Sequence, residues 1–383
     1  MRTASPLERR CRARLSELKS AGLIRSLRSP SGIDLSSNDY LRLAAHPLLR
    51  DRMAESVARD GCGSTGSRLL RGQRDSFAEL ERRFAAFKGV ERSLYFSSGY
   101  LANVAVLSTL PEAGDVIFSD ERNHASLIDG MRLSRARRII FPHNDVFTLG
   151  RLLREEAGDG QAFVVTESLF SMDGDMAPLA EYAALCQSHD AALIVDEAHA
   201  VGIYGPRGSG LVEATETNAL VSVDTAGKAL GVCGAFVSGP AWLIDSLIQR
   251  ARPFIFSTAP PPPVAAALQA SLTVIETEPW RRQQLLDRSA YLRRRLREEG
   301  VAVPEGVSQI IPVVLGENDR AVRVAKTLQR AGFDARAIRP PSVPAGTARL
   351  RLSVNAELSE AVLNRFVGVL AGALEEVCSA ASS

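Results

Sequence analysis

Lysine is nearly missing from this chain: of 46 basic residues only four are lysine and 42 are arginine. A surplus of charge is missing too, because 44 acidic residues leave a formal net of +2 at pH 7. Without a dominant sign there is no broad field to draw nucleic acid or an anionic membrane surface. Arginine runs such as Arg293 to Arg297 sit beside acidic residues on a helical pattern and read as a solvated face. The five cysteines (Cys11, Cys62, Cys186, Cys233 and Cys378) are odd in number, far apart and never C-x-x-C. That excludes a disulfide framework and a cysteine-zinc site and predicts a reducing, cytoplasmic setting. No apolar run is long enough to span a bilayer. Met1 to Lys19 is charged and amphipathic, without the apolar stretch of a signal peptide. The five histidines show no H-E-x-x-H spacing, so no metal is expected.

What is present is a recurring pattern of short apolar runs and helical segments. A length of 383 residues exceeds the size at which single cores stop growing. Candidate strands are Ser93–Phe96, Asp115–Phe118, Arg138–Phe141, Ala162–Thr166, Ala191–Val195, Ala219–Val223 and Gly234–Ser238. Helical patterns at Tyr100–Leu110, Ser126–Ser134, Val146–Glu156 and Ala177–His189 separate several of them. Strands lacking polar alternation, joined by helices, predict an α/β fold: a mostly parallel central sheet with helices on both faces. The proline cluster Pro260 to Pro263 precedes one long helical pattern from about Ala267 to Leu296. The expected organisation is an N-terminal helix and arm (1–45), a large α/β domain (46–264) and a small α+β C-terminal domain (265–383).

The four lysines differ in context. Lys19 and Lys326 lie on polar faces of helical patterns, and Lys88 precedes Gly89, where a cation at a helix end is favourable. All three read as solvated helix positions. Lys228, in D-T-A-G-K-A-L-G, directly follows the apolar strand A-L-V-S-V and is surrounded by Gly227, Ala229 and Gly231. Small neighbours admit close approach of a planar group, and ligands of open α/β sheets bind at the C-terminal strand edge. A surface lysine on a tight turn is the commoner alternative, and the other strand ends decide against it.

A-A-L-I-V runs into D-E-A-H, Asp196 to His199. F-V-V-T runs into E-S-L-F-S-M-D-G-D with Ser171, S-L-Y-F into S-S-G-Y and a helix, and D-V-I-F into D-E-R-N-H, ending at His124. Polar groups from at least five strands thus meet around one lysine. Lys228 as nucleophile, Asp196 as ring-nitrogen partner, and the free N–H groups of Gly99 and Tyr100 for an anion suit pyridoxal 5'-phosphate (PLP). His46, His143 and His189 read instead as turn or helix-end residues. Gly61, Gly63 and Gly66 match G-x-G-x-x-G, but a helical pattern precedes them where a dinucleotide site needs a strand. A glycine-rich loop reaching into an active site is the better reading.

These residues resemble a known family. T-A-G-K-A-L-G is similar to the lysine signature of the class II PLP-dependent aminotransferases, with Ala226 at a position usually larger. Within that class the chain resembles the α-oxoamine synthases. The resemblance rests on S-N-D-Y-L, G-S-T-G-S-R-L-L-R-G, S-S-G-Y-L-A-N, H-A-S-L, P-H-N-D, E-S-L-F-S-M-D-G-D-M-A-P-L, D-E-A-H-A-V-G-I-Y-G and R-P-P-S-V-P-A-G-T-A-R-L-R-L-S, in order from Ser37 to Ser353. It implies a PLP fold type I homodimer with the active site at the subunit interface. The implied activity is decarboxylative condensation of L-alanine with pimeloyl-CoA or pimeloyl-acyl carrier protein. In that resemblance Lys228 makes the Schiff base and Asp196 pairs with the pyridine nitrogen. His124 stacks on the ring and meets substrate. Ser171 and His199 lie near the phenolic oxygen, and Thr225 joins Gly99 and Tyr100 at the phosphate. Arg25 and Ser342 are the implied acyl contacts, and Arg349 is the candidate for the amino-acid carboxylate. Two positions depart from the family pattern: Arg42 where glycine is usual, and Leu358 where histidine is usual. Rival readings are another α-oxoamine synthase using glycine or serine, a plain aminotransferase, and a non-enzymatic PLP-binding regulator; the last is disfavoured by an N-terminal segment too short for a DNA-binding unit.

Overall fold

The computed structural model describes residues 4–379; Met1 to Thr3 and the side chain of Cys378 lie outside the described residues. By contacts the chain divides into two compact units, a larger one of residues 38–171 and 175–285 and a smaller one of 1–37, 172–174 and 286–383.

Strand β1 (Ile33–Asp34) belongs to the smaller unit. The next seven strands form the sheet of the larger unit: β2 (Arg92–Phe96), β3 (Val116–Asp120), β4 (Arg137–Phe141), β5 (Ala162–Glu167), β6 (Ala192–Asp196), β7 (Val221–Thr225) and β8 (Ala235–Gly239). Their order is β2-β8-β7-β6-β5-β3-β4. β4, β3, β5, β6 and β7 are parallel, while β8 runs antiparallel to both β7 and β2. Only β8 is reversed, so the C-terminal ends of the other six open on one edge. β3, β5 and β8 are buried along their whole length, as continuous apolar runs covered on both faces require. The exposed β4 instead carries Arg137 and Arg138, whose charges protect a sheet edge. All seven strands coincide with the sequence reading to within one or two residues.

The long helical pattern is interrupted. Helices Pro262–Thr277 and Trp280–Glu298 are separated by Glu278 and Pro279, because proline cannot donate inside a helix and restricts the residue before it. Helix Pro262–Thr277 packs on Pro47–Asp60 within the larger unit, so the contact division falls at residues 285 and 286, later than the expected boundary after residue 264. The glycine-rich stretch follows a helix, Pro47–Asp60, and contains no strand before it. Its Ser64 hydroxyl donates to the Pro260 carbonyl at 2.6 Å.

In the smaller unit, β9 (Ile310–Gly316) pairs antiparallel with β12 (Ala348–Ser353), which also holds β11 (Ala337–Ile338), while β10 (Phe333–Asp334) pairs parallel with β1. Helices Pro6–Ser20, Asn318–Arg330 and Glu360–Ser379, with most of Trp280–Glu298, complete it. Arg293, read from the sequence as solvated, is buried here. Its guanidinium donates to the carbonyls of Ser308 and Ile310 at 3.1 and 2.7 Å, which compensates the desolvation. No described helix is long and apolar enough to cross a membrane.

Candidate active site

The site of the larger unit is built at the sheet edge where β2, β3, β5, β6 and β7 end. Lys228 lies in the turn after β7, half-buried, with its Nζ 2.9 Å from His199 Nε2. His199 follows β6 by three residues and is buried; its Nδ1 is 2.8 Å from the hydroxyl of Tyr40, which is fully buried. Asp196, the last residue of β6, is 5% exposed. Its Oδ1 accepts from the Ala198 N–H at 2.8 Å and its Oδ2 from the Asn103 amide at 2.6 Å.

Asn103 continues the network. Its amide also donates to Ser126 Oγ at 2.9 Å, and that hydroxyl is 2.7 Å from His124 Nδ1. The Ser126 N–H donates to His124 Nδ1 at 3.2 Å, so the Ser126 hydroxyl turns its own proton to the same nitrogen. Nδ1 is therefore an acceptor and Nε2 carries the ring proton. Partial desolvation lowers the His124 pKa most, Asp196 pulls it upward, and Lys228 adds to the lowering, so the net shift is down. His124 is a neutral donor near pH 7.

Glu167 ends β5 opposite Asp196 in register and is 3% exposed. Burial and then the Asp196 charge raise its carboxyl pKa to about 8, against Lys228 and the N–H groups of His124 and Ser171. Its Oε1 is buried without a hydrogen-bond partner, as is Asn103 Oδ1.

The end of β2 leads into helix Gly99–Thr109, whose N-cap Ser98 accepts from the Leu101 N–H at 3.2 Å. The Gly99 and Tyr100 N–H groups precede the first intrahelical carbonyl and point out of the helix start. A Cβ on Gly99 would fall 2.3 Å from Thr225 Oγ1, so only glycine lets this helix start and the end of β7 converge. A free helix N-terminus beside a hydroxyl, a buried carboxylate and a lysine fit the phosphate, pyridine nitrogen and aldehyde of PLP. The orphaned Glu167 and Asn103 oxygens mark a polar interior that a bound group can complete.

The small residues around Lys228 serve the protein's own packing. Ala226 and Ala229 are buried, and Gly231 has φ +71° with the backbone of Leu43 and Ala44 where a Cβ would stand. At Gly227 a Cβ would meet nothing nearer than 3.9 Å. Arg42, at the family's usual glycine position, has φ +58°, a left-handed backbone that glycine adopts without cost.

Lys88 corrects the sequence reading. It is buried, and its Nζ donates to Glu197 Oε2 at 2.8 Å, Asp224 Oδ1 at 2.9 Å and the Ser209 carbonyl at 2.6 Å. Burial alone lowers the Lys88 pKa, but Asp224 and Glu197 outweigh it and the net shift is upward. Burial raises Asp224 to about 6 despite Lys88. The two acids adjoin Asp196 and Thr225 in sequence, so this cluster ties together the ends of β6 and β7. Helix-end position predicted solvation; two distant acids supplied a buried partnership instead.

Among the other histidines, His46 caps helix Pro47–Asp60 and His189 ends helix Leu179–Ser188, as their positions predict. His143 does more than occupy its turn. Its Nδ1 is 2.9 Å from Asp120 and its Nε2 2.5 Å from Asp175, and Phe170 packs edge-on at 4.4 Å. Burial lowers its pKa, but the two carboxylates prevail and lift it to about 9.

In the smaller unit, Arg349 is 5% exposed and forms an ion pair with Asp173. Arg25 donates to the Pro340 carbonyl at 2.9 Å, and the Ser342 N–H donates to the Arg339 carbonyl at 3.1 Å. Among the described residues no group of three or more His, Cys, Asp or Glu is arranged to hold a metal ion.

Comparison with known proteins gives the same picture. The family model for aminotransferases of class I and II matches residues 30–370. An 8-amino-7-oxononanoate synthase of Anaeromyxobacter dehalogenans is 45% identical, over 95% of this chain and 95% of its own. One from Geobacter sulfurreducens is 43% identical over 93% of this chain and 96% of its own. Among solved structures, a serine palmitoyltransferase from S. paucimobilis with a bound PLP–myriocin aldimine superposes with a TM-score of 0.91 at 30% identity, covering 98% of this chain and 100% of that one. An 8-amino-7-oxononanoate synthase from Francisella tularensis gives 0.78 at 29% identity, covering 90% and 98%. The chain belongs to the class I and II aminotransferase family, in the branch of the 8-amino-7-oxononanoate synthases.

Proposed function

We propose that this protein condenses L-alanine with pimeloyl-CoA or pimeloyl-acyl carrier protein, releasing CO2 and the free thiol carrier and forming 8-amino-7-oxononanoate, a step of biotin biosynthesis. The observation that carries the reading is Lys228 Nζ at 2.9 Å from His199 beside the buried Asp196, in a chain whose relatives of that name match nearly end to end.

PLP, when bound, supplies an aldehyde that captures an amine and a ring that takes up the electrons left when Cα loses its proton. Lys228 is the amine of this chain that engages it. The N–H groups of Gly99 and Tyr100, with Thr225, hold the phosphate. Asp196, oriented by Asn103 and Ala198, keeps a proton on the pyridine nitrogen. Ser171 and His199 serve the phenolic oxygen. With a substrate amine held at the cofactor, the Lys228 amine would be free to take the alanine α-proton, and His199 would orient it. His124 would lie against the ring, and its Nε2 proton would meet the oxygen that gains charge at the thioester carbonyl. Arg349 takes the amino-acid carboxylate, exchanging its hold on Asp173 for the substrate. Arg25 and Ser342 meet the acyl chain.

The active form in this reading is a cytoplasmic homodimer with the site at the subunit interface. Its PLP-binding part and its small C-terminal part are taken at the division after residue 285 rather than after residue 264. The test is to incubate the purified protein with PLP, L-alanine and pimeloyl-CoA and identify the product by mass. The expected product has lost the alanine carboxylate carbon as CO2; a product retaining that carbon overturns the proposal in favour of transamination. The structural likeness to serine palmitoyltransferases favours, as second reading, another α-oxoamine synthase. A panel of glycine, serine and alanine with several acyl thioesters, read by released thiol, separates the two.

A further inference from the structure

Glu167 and Asp196 end adjacent parallel strands as register partners, and both are buried. Register partners on parallel strands face the same side of a sheet with their backbones about 4.8 Å apart. Two carboxyl groups therefore stand side by side, and the proposed reaction uses only one. Asp196 accepts from the Ala198 N–H and the Asn103 amide. Glu167 accepts from the N–H groups of His124 and Ser171, while its Oε1 has no partner. A buried acid beside a second acid is costly, so packing alone does not account for Glu167. What it holds does. His124 is the N-cap of helix Ala125–Leu133 and Ser171 sits in the turn after β5, both outside any strand or helix ladder. Neither residue is buried, so packing does little to fix them. The chain before His124 is docked on the same strand a second time, where the Asn123 amide donates to the Val165 carbonyl at 2.8 Å. One carboxyl group at the end of β5 thus gathers the turn after β3 and the turn after β5.

We propose that Glu167 is a positioning residue: through the N–H groups of His124 and Ser171 it fixes the imidazole that faces the cofactor ring and the hydroxyl that faces its phenolic oxygen. The assignment rests on the reading above for what those two side chains meet. Burial and then the Asp196 charge leave Glu167 largely the neutral acid at pH 7. Glutamine therefore reproduces both its shape and its acceptor oxygen, whereas methionine fills the same space and is at best a weak acceptor.

The test compares the wild type, Glu167→Gln and Glu167→Met by hydrogen exchange at the His124 and Ser171 amides, by the absorbance of bound PLP and by turnover. Both amides are expected to be protected in the wild type and in Glu167→Gln, and to exchange at least about tenfold faster in Glu167→Met. The absorbance of bound PLP is expected to match the wild type in Glu167→Gln. In Glu167→Met it shifts in the direction given by Ser171→Ala, with kcat down about 10- to 100-fold and PLP still bound. A purely structural role would lower the Tm of Glu167→Met and leave the spectrum of its bound PLP unchanged; that result overturns the proposal. So does a Glu167→Gln protein as defective as Glu167→Met. Unprotected amides in the wild type overturn it without any variant, which keeps the proposal testable where Glu167→Met fails to fold. The expected exchange and absorbance pattern in a protein inactive on pimeloyl thioesters sinks the proposed reaction and leaves the role of Glu167 standing.

Discussion

At position 228 the chain gives up its preference for arginine, and chemistry accounts for the exchange. A guanidinium stays protonated under all conditions a protein meets, whereas an ammonium held beside an imidazole can release its proton and become a nucleophile. His199 at 2.9 Å is that imidazole. Asp196→Asn keeps the shape of the site but removes the charge that, in the proposed reaction, would hold a proton on the ring. The expected outcome is retained PLP binding with a loss in kcat of about 100-fold or more, read by cofactor absorbance and product formation on one preparation. An undiminished rate would contradict the role given to Asp196. The gathering of Lys228, Asp196, His199 and His124 at one sheet edge was legible in the sequence because each follows an apolar strand, and strand ends converge. Asn103, Ser126, Tyr40 and Glu167 were not, although each stands in a segment that carries the family resemblance. Their roles depend on which neighbouring strand or helix they face, and that pairing is absent from local pattern.

Elements are held in place by two ionic groups apart from Lys228, one buried around Lys88 and one half-buried around His143. Lys88, at the end of helix Asp75–Lys88, reaches acids 109 and 136 residues away in sequence, a distance no spacing rule can read. Lys88→Met strands Glu197 and Asp224 in a buried setting and is expected to cost about 3–5 kcal/mol in urea unfolding. A loss below about 1 kcal/mol would show that the acids simply protonate at no expense. His143 joins the end of β3 to the loop after β5 through Asp120 and Asp175. Its folded pKa of about 9 lies above the ordinary value of 6.5, so its contribution is complete below about 6.5 and is lost as pH rises through about 9. The stability difference between wild type and His143→Gln is therefore expected to shrink across that window. A difference that is constant from pH 6 to 10 would remove the charge from the account. At this scale the strands were readable from apolar runs, and the break at Pro279 was the feature the helical periodicity concealed.

For the molecule as a whole, a nearly neutral net charge and one reversed strand in a seven-stranded sheet are background to a single edge. That edge gathers a lysine, a buried carboxylate, two imidazoles and a helix start from strands spread over residues 92–225, the set the proposed reaction needs. The division into units was less legible than the sheet, because helix Pro262–Thr277 follows the proline cluster yet packs back on the larger unit, and the N-terminal segment joins the smaller one through β1 and β10. The central claim is a covalent carbon–nitrogen bond between PLP and one lysine of four. Borohydride reduction of the PLP-loaded protein, followed by peptide mass analysis, tests it most directly. A pyridoxyl-phosphate mass is expected on the peptide containing Lys228, and none in Lys228→Ala; a modified peptide containing Lys19, Lys88 or Lys326 instead, or no modified peptide at all, would rule that bond out.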